Sequence, residues 1–312
     1  MAKYLITGGA GFIGSAMAIK LLNAKHEVHV IDIESRINLV RDKLKGVHFH
    51  CGDISKERIF SNLPVDVFDV AFHMAAQTSA RVSEEDPELD IDNNVKGTYY
   101  FCKWARENKT KKAVLTSSMA VYGAHGDNID EGAPIKPTSV YGITKAASEY
   151  FFRILSEDGI KTSVYCLFNV YGPGQDYSNM KQGMLSIFLT QALTSDAIRV
   201  TGSLSRYRDF IYIDDVLNAL LIDADDGARE NIFNVGSGVP VTVKQLCDVI
   251  VDKTVKSEEH IPVVEIESHR GDVFGNYANS DKLLSLGWKP VINLDKGIEL
   301  TLCDAIRVLK CK

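Results

Sequence analysis

Short apolar runs alternate with longer amphipathic ones through the first half of the chain. Residues 3–7 and 27–32 are apolar runs of strand length, the second carrying Val28, Val30 and Ile31. Between them, residues 12–23 repeat apolar positions at helical spacing. Further strands are predicted at 47–50, 69–73, 113–117 and 163–168, and helices at 87–108 and 140–158. Strands separated by helices imply a parallel sheet covered on both faces, an α/β doubly wound fold.

After Gly172-Pro173-Gly174 the elements shorten and polar loops intervene around 203–208 and 265–272. The expectation is a nucleotide-binding domain over residues 1–171 and a smaller α/β lobe over 172–312. The two are interleaved, because segments around 209–235 return to the main sheet. The length of 312 residues suits one large or two coupled domains.

Thr7-Gly8-Gly9-Ala10-Gly11-Phe12-Ile13-Gly14 lies between the first strand and the first helix. Gly8, Gly11 and Gly14 permit a tight turn and a close approach of backbone to a pyrophosphate. The helix start, at Phe12 and Ile13, then offers unpaired N–H groups and a positive dipole end. Asp32 closes the second strand, 18 residues after Gly14. A carboxylate there accepts from the ribose hydroxyls and repels a 2′-phosphate, which favours NAD over NADP. Asp53, followed by Ile54, ends the third strand on the same edge and either meets the adenine or caps the next helix.

Tyr141 and Lys145 stand four residues apart on a predicted helix and share a face. A phenol titrates near pH ~10 unless something stabilises its anion, and a neighbouring ammonium does so. Ser118, just past a predicted strand, supplies a hydroxyl to bridge phenol and substrate. Base, tuner and orienting donor make a proton-transfer set.

These motifs, with His73-Met74-Ala75-Ala76-Gln77, Asn93-Asn94-Val95-Lys96-Gly97-Thr98, Ser117-Ser118-Met119-Ala120-Val121-Tyr122-Gly123, Asn169-Val170-Tyr171-Gly172-Pro173 and Arg208-Asp209-Phe210-Ile211-Tyr212, carry a resemblance. The chain resembles the extended short-chain dehydrogenase/reductases, specifically the NAD-dependent sugar epimerase/dehydratase family, and is most similar to its UDP-glucose 4-epimerases. The resemblance spans nearly the whole chain. It implies a Rossmann-type sheet, bound NAD, and Ser118, Tyr141 and Lys145 as catalytic residues. It places Ala75, Ala76 and Asn94 at the cofactor. It also assigns Asn169, Arg208, Arg270 and Asp272 to the sugar nucleotide; the arginine of His269-Arg270-Gly271-Asp272 stands one position closer to the aspartate than in the family's usual Arg-x-Gly-Asp. Asn276 falls where some relatives carry a tyrosine that restricts the sugar C2 substituent, so an N-acetyl group is admissible. Dehydratases of the family follow the catalytic hydroxyl with acidic residues; Met119 and Ala120 stand here instead, which disfavours elimination. The implied reaction is 4-epimerisation, with a decarboxylase or reductase of the same family as alternative and a non-catalytic NAD sensor as a remote one. The resemblance also implies a homodimer through the helices at 87–108 and 140–158.

The remaining features narrow the partners. A net charge of -6 gives no global attraction to nucleic acid or anionic membrane. No apolar run approaches the ~18 residues of a bilayer span, and the opening Met1-Ala2-Lys3-Tyr4-Leu5-Ile6 lacks a signal-peptide layout. Cys51, Cys102, Cys166, Cys247, Cys303 and Cys311 are scattered, which suits a reducing cytoplasm and gives no zinc or disulfide framework. No metal is expected.

Overall fold

The structure is a computed structural model and describes residues 1–64, 68–124, 126–222, 231–254, 261–267 and 273–310. The chain divides into two compact units. The first comprises Met1–Val121, Ser139–Cys166 and Leu220–Phe233; the second comprises Tyr122–Thr138, Leu167–Ala219 and Asn234–Lys312. The crossover is therefore more finely interleaved than a break at 171 with a return at 209–235. Residues 122–138 fall in the second unit, and the return begins at Leu220.

The first unit is built on β1 (Lys3–Thr7), β2 (Glu27–Asp32), β3 (His48–Cys51), β4 (Val70–His73), β5 (Lys112–Ser118) and β6 (Lys161–Leu167). With the later strand at Asn231–Val235, they form a seven-stranded sheet in which the first three run outward as β1, β2, β3 and the others continue from β4 on the opposite side of β1. The pairs β1–β2, β2–β3, β1–β4 and β4–β5 are parallel. This is the doubly wound Rossmann order, whose direction reverses between β1 and β4. A ligand crevice forms outside the carboxyl ends of the strands at that reversal. Both faces of the sheet are covered, so Val28, His29, Val30 and Ile31 are buried in succession rather than alternately.

Helix α1 (Phe12–Asn23) follows β1, and its Met17, Ala18 and Leu21 are buried. The short helices α2 (Glu34–Val40), α3 (Arg58–Ser61) and α4 (Ala80–Glu85) come next. The expected helix at 87–108 is three pieces: α5 (Pro87–Asp90), a π-helical turn over Ile91–Lys96, and α6 (Gly97–Glu107). The local cause is visible at Asn94. Its carbonyl accepts from the hydroxyls of Thr98 and Ser148, the latter from across the fold at 2.9 Å. Such single π turns concentrate at functional sites.

Helix α7 (Val140–Glu157) is started by Ser139, whose Oγ accepts from Gly142 N at 3.1 Å. Phe101 of α6 lies between His73 and Phe152, with ring centroids at 4.6 and 5.7 Å, and this stack locks α6 and α7 onto β4.

The second unit holds two small sheets. β7 (Asn169–Tyr171) and β9 (Tyr207–Tyr212) pair in parallel, and β11 (Pro240–Thr242) joins β9 antiparallel; β8 (Ile198–Thr201) pairs with β12 (Val263–Ile266). β10 is the strand Asn231–Val235 already counted in the large sheet. Buried Asp209 ties the second unit together. Its carboxylate accepts from Ser237 N and Oγ, Gly238 N and Ala278 N, at 2.6 to 3.0 Å.

Candidate active site

The cradle is set by sterics at Gly8 and Gly14. Gly8 sits at φ +70, and a Cβ on it would fall 2.7 Å from Ala75 Cα and N. A Cβ on Gly14 would fall 2.2 Å from Gly8 O, so only glycine lets α1 start this close to the turn. Helix α1 begins at Gly11 with no side-chain cap and no acid in its first turn, through Phe12, Ile13 and Gly14. An uncapped, acid-free helix start suits a diphosphate.

Asp32 Oδ2 accepts from Ala10 N at 2.9 Å and Oδ1 from Ile33 N at 2.8 Å. Each oxygen keeps lone-pair capacity for a ribose hydroxyl. Burial raises the Asp32 carboxyl above its ordinary range, against the two backbone N–H groups that lower it. Asp53 Oδ1 accepts from Ser55 N at 2.8 Å in a local turn ahead of α3, whose start at Glu57 has no side-chain cap, and Ile54 is buried beside it. Ala75 N donates to Thr7 Oγ1 at 3.3 Å, and Ala75 and Ala76 stay partly exposed beyond β4.

Asn94 is held by protein groups. It is 1% exposed, and its side chain is spent on protein: Oδ1 accepts from Gln77 N at 2.9 Å, and Nδ2 donates to Gln77 O and Thr144 Oγ1. It braces the loop after β4 against α7, and Oδ1 keeps a second lone pair.

Beneath the cradle, His73 bridges Thr7 Oγ1 at 2.8 Å and Thr98 Oγ1 at 3.0 Å. Thr7 Oγ1 accepts from Ala75 N, so its own hydrogen goes to His73 Nδ1. Nε2 then carries the imidazole proton to Thr98, whose hydrogen goes to Asn94 O. Burial holds His73 down to about 3, so it is a neutral tie.

Tyr141, Lys145 and Glu149 follow one another at i, i+4 and i+8 on the inner face of α7. The Ser118 hydroxyl hydrogen-bonds the Tyr141 phenol, and Ser118 Oγ accepts from Ala120 N at 3.2 Å. Lys145 Nζ donates to Thr116 O at 2.7 Å at the end of β5. Burial brings Lys145 down to about 8. Tyr141 moves opposite to expectation. Burial pushes it up to about 12; the Ser118 hydroxyl lowers it and the Asp90 charge raises it. Burial dominates because the phenolate lies in surroundings that solvate it poorly.

Glu149 went unremarked in the sequence, although its spacing from Lys145 repeats that of Lys145 from Tyr141. It is 6% exposed and accepts from the Ser117 hydroxyl and from Cys166 Sγ at 3.4 Å. Burial raises the Glu149 carboxyl, the Lys145 charge lowers it, and Glu149 in turn raises Lys145. The pair spares Lys145 a buried charge with no counter-charge.

In the second unit, Arg208 is buried, and its guanidinium donates to the carbonyls of Tyr207 at 2.8 Å, Phe274 at 3.1 Å and Val273 at 2.7 Å. Burial lowers Arg208 to about 10. Asn169 Nδ2 donates to Asp209 O at 2.8 Å. Asn276 is 3% exposed, and its Oδ1 has no hydrogen-bond partner among the described residues. Arg270 and Asp272 lie outside the described residues.

A dinucleotide cradle beside a Tyr–Lys helix face defines a nicotinamide-dependent enzyme that works on a hydroxyl-bearing carbon. A sequence profile of the NAD dependent epimerase/dehydratase family matches residues 4–236, and the chain belongs to that family. It is similar to a putative UDP-glucose 4-epimerase of Methanocaldococcus jannaschii, 33% identical and covering 95% of each chain. Among solved structures it is similar to the UDP-glucose 4-epimerase of Thermotoga maritima with UDP-glucose, at 30% identity and TM-score 0.87 over 98% of this chain and 99% of that one. It is also similar to the Thermus thermophilus UDP-glucose 4-epimerase with NAD, at 29% identity and TM-score 0.83 over 97% and 98%. The cofactor is NAD. Among the described residues no helix is long and apolar enough to cross a membrane.

Proposed function

We propose that the chain is an NAD-dependent nucleotide-sugar 4-epimerase, acting on UDP-glucose and UDP-galactose or their N-acetyl counterparts through a transient 4-keto sugar. The observation that carries this reading is the Ser118–Tyr141–Lys145 set followed by Met119 and Ala120, with no acid there to drive elimination. Tyr141 takes the proton of the sugar 4-hydroxyl, with Ser118 in the hydrogen-bond relay, and returns it to that oxygen once the turned 4-keto sugar has taken hydride back on its other face. Lys145 supplies positive charge to the phenolate, and Glu149 balances that charge from below. Bound NAD supplies a hydride acceptor that becomes the donor for the return step. Its pyrophosphate is held by the start of α1, its adenosine ribose by Asp32, its adenine end by Asp53 and Ile54, and its flank by Ala75 and Ala76. The resemblance assigns the nucleotide to Asn169 and Arg208, and to Arg270 and Asp272 beyond the described residues. Anchoring the nucleotide while leaving the sugar free to turn is what exposes both faces of C4.

Proton NMR of the protein with UDP-glucose and with UDP-GlcNAc, no cofactor added, tests this. New anomeric signals of UDP-galactose or UDP-GalNAc are expected. Asn276→Tyr is expected to cut N-acetyl turnover about tenfold or more while sparing the glucose pair, since a bulkier side chain costs ~1–3 kcal/mol in a filled pocket. Unchanged spectra for both substrates would sink the epimerase reading, and unchanged N-acetyl turnover in the mutant would sink the role of Asn276.

A homodimer is part of the proposal. Leu89, Ile91 and Tyr99 on one helical segment and Ile143, Tyr150 and Ile154 on α7 stand 40–55% exposed, an apolar load that a second copy would cover. Sedimentation velocity should give a dimer that the double change Tyr150→Glu, Ile154→Glu converts to monomer. A monomeric wild-type chain at micromolar concentration overturns it.

A further inference from the structure

We propose that Glu27, His29 and His48 form a binding site for a divalent cation of the zinc class, at the margin of the large sheet and independent of the epimerase reading. The register of β2 and β3 places His29 beside His48. The two-residue period of a strand puts Glu27 on the same side as His29, and His50 on the same side as His48. One donor atom from each of Glu27, His29 and His48 lies within 4.8 Å of the other two. Donors around a tetrahedral zinc stand about 3.3 Å apart, with bonds of ~2.0–2.1 Å. Reaching that geometry takes a closure of exposed His48, which leaves its stack on His29, and of partly exposed Glu27 toward the buried His29 ring.

The central ligand is already oriented. His29 is 4% exposed, its ring meets Phe68 edge-on at 5.2 Å, and His48 stacks on it at 4.6 Å. His29 Nε2 faces Glu27 Oε1 at 2.8 Å, and its Nδ1 faces His50 Nε2 at 2.9 Å. A ligating imidazole needs a partner of this kind on its second nitrogen. With the cation on Nε2, His29 carries its proton on Nδ1 and donates it to His50 Nε2, and His50 carries its own on Nδ1. Both rings stay neutral and no proton is lost. Glu27 is partly exposed and His48 exposed, so the ion has a way in. Lys3 Nζ, 3.2 Å from Glu27 Oε1, is the competitor the cation must displace from that oxygen. Glu27 opens β2 and Asp32 closes it, so the site lies at the opposite end from the cofactor. It would clamp the edge strand β3 to β2 rather than take part in turnover.

Titration of the full-length chain with cobalt(II), followed by its visible ligand-field bands, and with zinc chloride by calorimetry tests this. One equivalent is expected with a micromolar dissociation constant, with a pale spectrum of nitrogen and oxygen ligands. His48→Gln and Glu27→Gln, both at non-buried side chains, should weaken binding at least tenfold with the circular dichroism spectrum unchanged. Zinc should raise the melting temperature of the wild type but not of His48→Gln. An intense thiolate-to-cobalt band that disappears in Cys51→Ser or Cys303→Ser, equal affinity in folded His48→Gln, or no binding at 100 times micromolar concentration would each overturn the site.

Discussion

Tyr141→Phe is expected to lower turnover about 10³-fold, within the range that a positioned proton-transfer group supplies. The ring that packs on α7 is kept, so the melting temperature and the NAD content of the purified protein should hold. The pH dependence separates lost chemistry from lost structure. Tyr141 stands at about 12 and Lys145 at about 8. Below pH ~8 the phenolate fraction grows tenfold per unit while Lys145 stays charged, so kcat/KM rises with pH. Between those two values each gain in phenolate is offset by an equal loss of ammonium, and the profile flattens. Bound NAD, positively charged at its nicotinamide, shifts both limits downward together. Tyr141→Phe should remove the rising limb. A mutant that keeps it, or keeps more than a tenth of the wild-type rate, would show that another group is the base.

Gly14→Val should abolish tight NAD binding. Its Cβ would stand 2.2 Å from Gly8 O and 2.8 Å from Gly9 Cα, both backbone atoms, so the turn itself has to move. Moving it displaces the N–H groups that face the phosphates. A loss of about 100-fold in affinity, ~2.7 kcal/mol, is expected. Fluorescence titration with NADH measures it, and far-ultraviolet circular dichroism checks that the sheet persists. Wild-type affinity in a folded Gly14→Val protein would falsify the assignment of the cradle.

The strand and helix bounds at Lys3–Thr7, Phe12–Asn23 and Glu27–Asp32 coincide with the sequence reading. There the apolar runs are bounded by Gly8 to Gly11 and by polar residues, so local signals suffice. The long helix at 87–108 was readable as helix but not as interrupted. Its π turn depends on a hydroxyl of Ser148, about fifty positions away. The bracing contacts of Asn94 with Gln77 and Thr144 were hidden for the same reason: they join positions far apart in the chain. The helices at Glu34–Val40, Arg58–Ser61 and Ala80–Glu85 span two turns or fewer, too short for a 3.6-residue repeat to register. The candidate proton-transfer face was half readable. Spacing paired Tyr141 with Lys145, but their proton affinities follow from burial, which only packing decides. Glu149 carried a spacing signal and no motif, so it emerged from its contacts with Ser117 and Cys166.

The late arrival of β10 has a consequence for synthesis. β6 ends at Leu167, and its neighbour in the sheet is not made until residues 231–235. At ~5–20 residues per second, a nascent chain presents β6 as an unpaired edge for roughly three to fourteen seconds. That edge carries Val164, Tyr165 and Cys166, all buried in the finished protein. An unprotected apolar edge is a template for pairing between chains on neighbouring ribosomes. Until residues 231–235 emerge, the apolar edge of β6 is where pairing between nascent chains would begin.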